Sequence, residues 1–461
     1  MTTGRLNLTG RLAKYVSTLK YDDLPTVVVQ QAKKVILDGL ACQVACSQLE
    51  NGRLIIQFGR ALGGRAEASV VGSNYKTSMV NAALVNGTLG HGDEIDEVLL
   101  QAGHPSAVIV SASLACGEKE SASGKEMITA VVAGYDLAGG IVNTGVTQAR
   151  TRAKCNVGLT PGFWAAAAAG SLMKLTLDKM RVAFGITAVQ AGGFYDTASE
   201  AKHMTKSMRY GIGARNGTTA ALLAQIGYDG PRSVFDDNGN MYNMLKAWAG
   251  ENYEPEGLTK NLGKQFTIID TSFKLYAAGH VLHSSVYGLL KILDREGISA
   301  EDIKSIIVRL AKEEKQAGDT QDMPEININY CLAVAAFDRQ LGWDQYTPER
   351  LKDAKVADLK SRVLSVHDPK LDERKKTVKA RPAEVEIETK DGRKFLEKVD
   401  YPPGEPRNPA SQEDITKKAM YYASKVLGQK KAKSLIEAVS NLETIPDVNQ
   451  LGSLVRIREQ K

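Results

Sequence analysis

Residues 383–399 read AEVEIETKDGRKFLEKV, and this stretch decides the fold class. Val385, Ile387 and Thr389 alternate with Glu386, Glu388 and Lys390, the period-two pattern of a strand with one buried face. Asp391-Gly392 then supplies a hairpin turn, because glycine accepts the positive φ that such turns require. Working outward, FTIID from Phe266, IKSIIVRL from Ile303 and SRVLSV from Ser361 share the β-branched content of strands. A small α+β region is expected from about Gln265 onward.

The first 260 or so residues have a different texture, rich in alanine, glycine and helical periodicity. LPTVVVQQAKKVILDGLACQVA and GKEMITAVVAGYDLAGGIV carry apolar residues at i, i+3, i+4 and i+7. Ser123 stands where a helix N-cap belongs, and WAAAAAGSLMKL has the small residues that let helices approach closely. After the proline-rich YPPGEPRNP, helical pattern returns in SQEDITKKAMYYASKVLG and KAKSLIEAVSNLE. About 50 residues make a marginal core alone, so the tail is expected to rejoin the first domain. The expected class is α with a smaller α+β domain: helical residues 1–264, an α+β insertion over 265–404, and a helical return over 405–461. The cleft between the two is the expected ligand site.

A chain of 461 residues with 43% hydrophobic composition can bury a large core. The net charge of +6, from 59 basic and 53 acidic residues, is spread along the chain, which suits an anionic small-molecule substrate and argues against nucleic acid as a partner. Five cysteines without CxxC spacing fit neither a disulfide framework nor a zinc site. The start, MTTGRLNLTGRLAKYV, has no apolar signal core, and no apolar run reaches the roughly 20 residues that span a bilayer. A cytoplasmic protein with no membrane partner is expected.

The chemistry concentrates in His91–Ser106, HGDEIDEVLLQAGHPS, which packs two histidines and four carboxylates between apolar runs. Charged groups in such surroundings are paired or functional, although a solvated acidic loop is the competing reading. A second segment, HMTKSMRYGIGARNG from His203, sets Lys206 and Arg209 one helical turn apart, a point charge beside a bidentate fork suited to carboxylates. Its glycines do not form a dinucleotide fingerprint. The third, SFKLYAAGHVLHSSVYG from Ser272, brings Lys274, His280 and His283. The i, i+3 histidines lack a nearby acid, so no metal site is expected. Cys155, next to Lys154, has no base partner in sequence, and a small buried thiol is its expected role.

Taken together, HGDEIDE…GHPS, ASGKEMITAVVAGYDLA, GFWAAAAAGSLMKL, MTKSMRYGIGARNG and PPGEPRNPAS resemble the MmgE/PrpD family over nearly the whole chain. The resemblance implies a helical domain built from both chain ends, an inserted α+β lid domain, a homodimer, and chemistry without a cofactor on small polycarboxylates. The family's acidic residue of H-x-x-D-F-D-D-T falls on Glu94, followed by Asp96 and Glu97; its H-P-S histidine falls on His104. The T-K-x-x-H lysine falls on Lys206, the lid tyrosine on Tyr330, and a basic residue at the domain junction on Lys274. The implied catalytic set is His104, Glu94, Asp96, Lys206 and Tyr330, with Arg209, Lys274, Cys155 and His283 toward substrate.

The chain departs from the family pattern at Val98, Arg209, Cys155 and Glu94, where threonine, histidine, histidine and aspartate are usual. Two lost imidazoles and one gained fixed charge imply an altered substrate. The expected reaction is a cofactor-independent dehydratase or decarboxylase step next to a carboxylate, with an epimerase of a dicarboxylate or a non-catalytic anion binder as alternatives.

Overall fold

The computed structural model describes residues 6–146, 159–192, 204–319 and 323–457. The chain is mostly helical with a small mixed sheet. It divides into two compact units, one comprising the chain up to Thr271 together with Ser411 onward, the other Ser272–Ala410.

The helical unit is built on α1 (Thr26–Cys46), α2 (Met79–Gly90), α3 (Pro105–Glu120), α4 (Gly124–Val142), α5 (Pro161–Leu172), α6 (Thr205–Gln225) and, from the returning tail, α7 (Gln412–Leu427). Helices α2, α3 and α5 are buried on nearly every face, which is why alanine and glycine dominate them and no apolar stripe is visible. Ser123 does cap α4: its Oγ accepts from the Glu126 N–H, and the Glu126 carboxylate accepts from the Ser123 N–H at 2.7 Å. The tail is tied in by charge as well as packing. Lys418 of α7 meets Asp38 of α1 at 2.6 Å and donates to the Ile95 carbonyl at 2.5 Å, a buried ion pair set directly under the acidic segment.

The second unit carries a four-stranded sheet in the order β2-β1-β3-β4, where β1 is Ile303–Leu310, β2 Val363–His367, β3 Ala383–Thr389 and β4 Lys394–Val399. β1 and β2 are parallel, and the other two pairings are antiparallel. The expected hairpin is present, with Ala383 opposite Val399, Ile387 opposite Phe395, and Gly392 at φ +87° in the turn. Val385 and Ile387 join Ile306, Val308 and helical residues of 283–296 and 328–338 in one core. The alternate glutamates face outward against Lys304, Arg309 and Lys398.

One strand expectation fails. FTIID forms a 3-10 turn over Thr267–Asp270, and only Thr271–Ser272 is extended. The cause is local: the Thr267 N–H donates to the Asp136 carboxylate at 2.8 Å, and the Thr267 side chain lies so close to Gly139 that a Cβ there would be 2.1 Å from its hydroxyl. These contacts with α4 bend the segment and override its β propensity.

Candidate active site

His91 ends α2, and His104 is the N-cap of α3, with Pro105 at the first helical position where a missing N–H costs nothing. Between them the chain makes a tight turn in which Leu99 and Gly103 exchange backbone hydrogen bonds of 2.9 and 3.0 Å, with Gln101 and Gly103 at positive φ. The segment is not a solvated acidic loop. His91, Glu94, Asp96 and Glu97 are all buried, Asp93 is half-buried, and the His104 side chain is 13% exposed.

Asp96 organises the site. Its Oδ1 lies 2.9 Å from His91 Nδ1, and its Oδ2 lies 3.0 Å from His104 Nδ1. His104 Nδ1 is also 2.9 Å from the Glu97 carbonyl, which can only accept. Each Nδ1 therefore carries hydrogen, and proton exchange at His104 falls to Nε2. The two rings lie 3.8 Å apart between centroids. Burial works against the Asp96 charge, but the His104 and His91 imidazoles together hold its carboxyl well below the usual range.

Glu97 does the reverse. Its Oε1 accepts from the Ser106 N–H at the head of α3 (2.6 Å) and from the Tyr135 hydroxyl of α4 (2.8 Å). Burial, aided by the Asp96 charge, outweighs both bonds and pushes its carboxyl up to about 8. Glu97 is thus a neutral acid at neutral pH beside an ionised Asp96.

The cations come from α6. Lys206 Nζ is paired with Glu94 Oε1, so the lysine that the sequence offers to a substrate carboxylate also meets an acid of its own chain. Arg209 stands one turn further along, its guanidinium 4.8 Å from the Tyr210 ring centroid and its Nη2 3.1 Å from the Tyr210 hydroxyl. His104, Glu94, Asp96, Lys206 and Arg209 all belong to the helical unit. Val98 is buried in the same segment. Cys155 lies outside the described residues.

Lys274, His283 and Tyr330 belong to the second unit. Lys274 and His283 are buried there, His283 with its Nε2 3.2 Å from the Ala278 carbonyl. The Tyr330 hydroxyl donates to the Gln345 carbonyl, and burial pushes it up to about 12. His280 does lie against His283, with ring centroids 5.4 Å apart, and also meets Glu405 of the PPGEPRNP motif at 3.0 Å.

Sequence reasoning named Glu97 only among the carboxylates that follow Glu94, and gave His91, Tyr135 and Tyr210 no role. His91 opens the very motif that was singled out, and Tyr210 follows Arg209, so both were within sight. Tyr135 sits in a helix that the sequence marks by its apolar period, its N-cap and its likeness to the family, none of which assigns the tyrosine a role. His91, Asp96 and His104 also form, among the described residues, a trio with donor atoms within 4.8 Å of one another, the kind of group that could hold a metal ion. In this structure His91 Nδ1 is hydrogen-bonded to Asp96 Oδ1 at 2.9 Å, while His104 Nδ1 is hydrogen-bonded to the Glu97 carbonyl and lies within ion-pair distance, 3.0 Å, of Asp96 Oδ2. A pocket of about 240 Å³ is lined by Leu99 and Leu100 of the turn. Among the described residues its polar wall, with Asn143, Gln265, Thr267 and Asp270, includes no lysine or arginine.

An imidazole held at a helix head, in one unit with a lysine and an arginine, offers the groups that acid–base chemistry on an anionic substrate requires. Residues 10–253 match the MmgE/PrpD N-terminal domain and residues 276–444 the MmgE/PrpD C-terminal domain. The chain belongs to the MmgE/PrpD family. It is 29% identical to a cis-aconitate decarboxylase-like protein of Aspergillus oryzae, over 97% of each chain. It is 26% identical to a cis-aconitate decarboxylase of Aspergillus terreus (98% of this chain, 97% of the other) and 24% identical to that of Homo sapiens (98% and 95%). These relatives are enzymes, and by name lyases.

Proposed function

We propose that this chain is a cofactor-independent lyase that breaks a bond next to a carboxylate of a small di- or tricarboxylate, decarboxylation being the first candidate. The observation that carries this reading is the His104 ring, held through Nδ1 by the Glu97 carbonyl at 2.9 Å with the Asp96 carboxylate 3.0 Å away, so that Nε2 is the atom that gives or takes a proton. In a decarboxylation the carbon–carbon bond to one carboxylate breaks, carbon dioxide leaves, and the electron pair left on carbon takes a proton from His104. The charge that develops on the remaining carboxylate is met by Lys206 and Arg209. The names of the relatives support a tricarboxylate, and the departures at Glu94, Val98, Arg209 and Cys155 support a change in which one.

The test is incubation of the full chain in D₂O with cis-aconitate and a panel of citrate-like, malate-like and amino-dicarboxylate compounds, followed by proton NMR. Release of carbon dioxide or water, with solvent deuterium in the product, is expected. Solvent exchange without net conversion would move the assignment to an isomerase, and silence across the panel would overturn it.

A further inference from the structure

Tyr210 is fully buried on α6, and its place is set by how closely α6 lies on α2. A Cβ on Gly87 would come within 2.8 Å of the Gly211 Cα, and one on Gly211 within 2.3 Å of the Leu84 carbonyl oxygen. The two helices therefore meet backbone to backbone one residue from Tyr210. From that fixed point its ring stands edge-on to both imidazoles, 4.9 Å from His91 at 74° and 5.6 Å from His104 at 79°. Such T-shaped contacts are favourable and set the planes of the rings involved.

The hydroxyl of Tyr210 has its own two neighbours. It accepts from Arg209 Nη2 at 3.1 Å, and a Cβ on Gly103 would lie 2.9 Å from it. Gly103 has φ +102°, a conformation that side chains rarely adopt. The turn that delivers His104 is thus wrapped against the tyrosine oxygen, on the side where Arg209 also binds it.

We propose that Tyr210 is a positioning residue for the His91–Asp96–His104 bridge, holding the imidazole planes with its ring and tying the Gly103–His104 turn to Arg209 with its hydroxyl. A carboxylate engaged by Arg209 then bears on the same oxygen that shapes the turn, so substrate binding and the geometry of proton transfer are coupled through one side chain. This rests on the lyase reading only in giving His104 the moving proton.

The test uses the full chain labelled with ¹⁵N at its six histidines, with kinetics on whichever compound of the panel is turned over. Tyr210→Leu is expected to shift the Nδ1–H signals of His91 and His104 and to lower kcat by roughly 100-fold, the loss that about 1 Å of misplacement produces. Tyr210→Phe keeps the ring, so KM should rise about tenfold while kcat falls less. Gly103→Ala should lower Tm more in the wild-type background than beside Tyr210→Phe, where the obstructing oxygen is gone. A folded Tyr210→Leu with wild-type histidine signals would overturn the proposal, as would a Gly103→Ala penalty that is the same in both backgrounds. If Tyr210→Leu does not fold, the Phe variant and the Gly103 cycle decide. If no compound is turned over, the lyase reading fails by itself, and the histidine signals and Tm values still judge Tyr210.

Discussion

Asp96 and Asp136 are both buried carboxyl groups of the helical unit, 0% and 3% exposed, yet their proton affinities are pushed in opposite directions. Asp96 meets two imidazoles and is held below the usual carboxylate range. Asp136 meets only neutral donors, the Tyr15 hydroxyl at 2.5 Å and the Thr267 N–H at 2.8 Å. Burial prevails there, and its carboxyl is pushed up to about 7. At Asp136 the hydrogen bonds from neutral groups do not offset the loss of water around an anion, whereas at Asp96 the two imidazoles, able to share positive charge, do. The first arrangement keeps an anion ready to stabilise a protonated ring, and the second fastens α4 to the Thr267 turn. Glu97 repeats the second pattern inside the active segment, so charge and neutrality alternate over two adjacent residues.

The largest effect that would break this contrast is at His104. His104→Ala should lower turnover by roughly 100-fold or more, as loss of general acid–base catalysis does, without unfolding the protein. Full activity would remove the basis for treating Asp96 differently from Asp136. Next comes the pair Asp96→Asn and Asp136→Asn, compared by steady-state kinetics. Asp96→Asn places an amide against two Nδ1–H donors and should cost roughly 10- to 100-fold in kcat through a misoriented, wrong-tautomer imidazole. Asp136→Asn replaces one neutral group by another and should leave kcat within about twofold, its cost of roughly 1 kcal/mol appearing in stability. Equal kinetic losses would show that burial alone, and not the imidazole pair, gives Asp96 its role.

The hairpin of residues 383–399 was legible because strand alternation and an Asp-Gly turn are both local signals, and the observed register follows them. FTIID was misread because its conformation is decided by Asp136, more than a hundred positions away. The same division holds in the site. A density of acids and histidines marked His91–Ser106, but a loop has no period from which one carboxylate could be assigned to two rings. Lys206 reaches Glu94 across 112 positions and Lys418 reaches Ile95 across 323. Lys206 and Glu94 are each marked by their own segments and by the family resemblance, but their pairing is not, and the contact of Lys418 has no sequence signal. Tyr210 could have been noticed beside Arg209, yet its link to Gly103 exists only once α6 and α2 are packed.

The smallest expected effect is also the one that reads the charge states directly. Asp136 has a folded-state value near 7 against 3.8 for the ordinary side chain, so between those limits the folded protein binds more protons than the unfolded chain. Its contribution to stability is complete below about pH 4 and is lost as pH rises through 7, at up to about 1.4 kcal/mol per pH unit. Asp96 has the opposite sign: its contribution is present above its ordinary value and is lost only on strong acidification. Tm measured from pH 5 to 8 should therefore fall with rising pH in the wild type and fall less steeply in Asp136→Asn, by a few degrees over the range. Parallel curves would mean that Asp136 ionises normally in the folded protein, and that neutral donors suffice to hold a buried carboxylate in this fold.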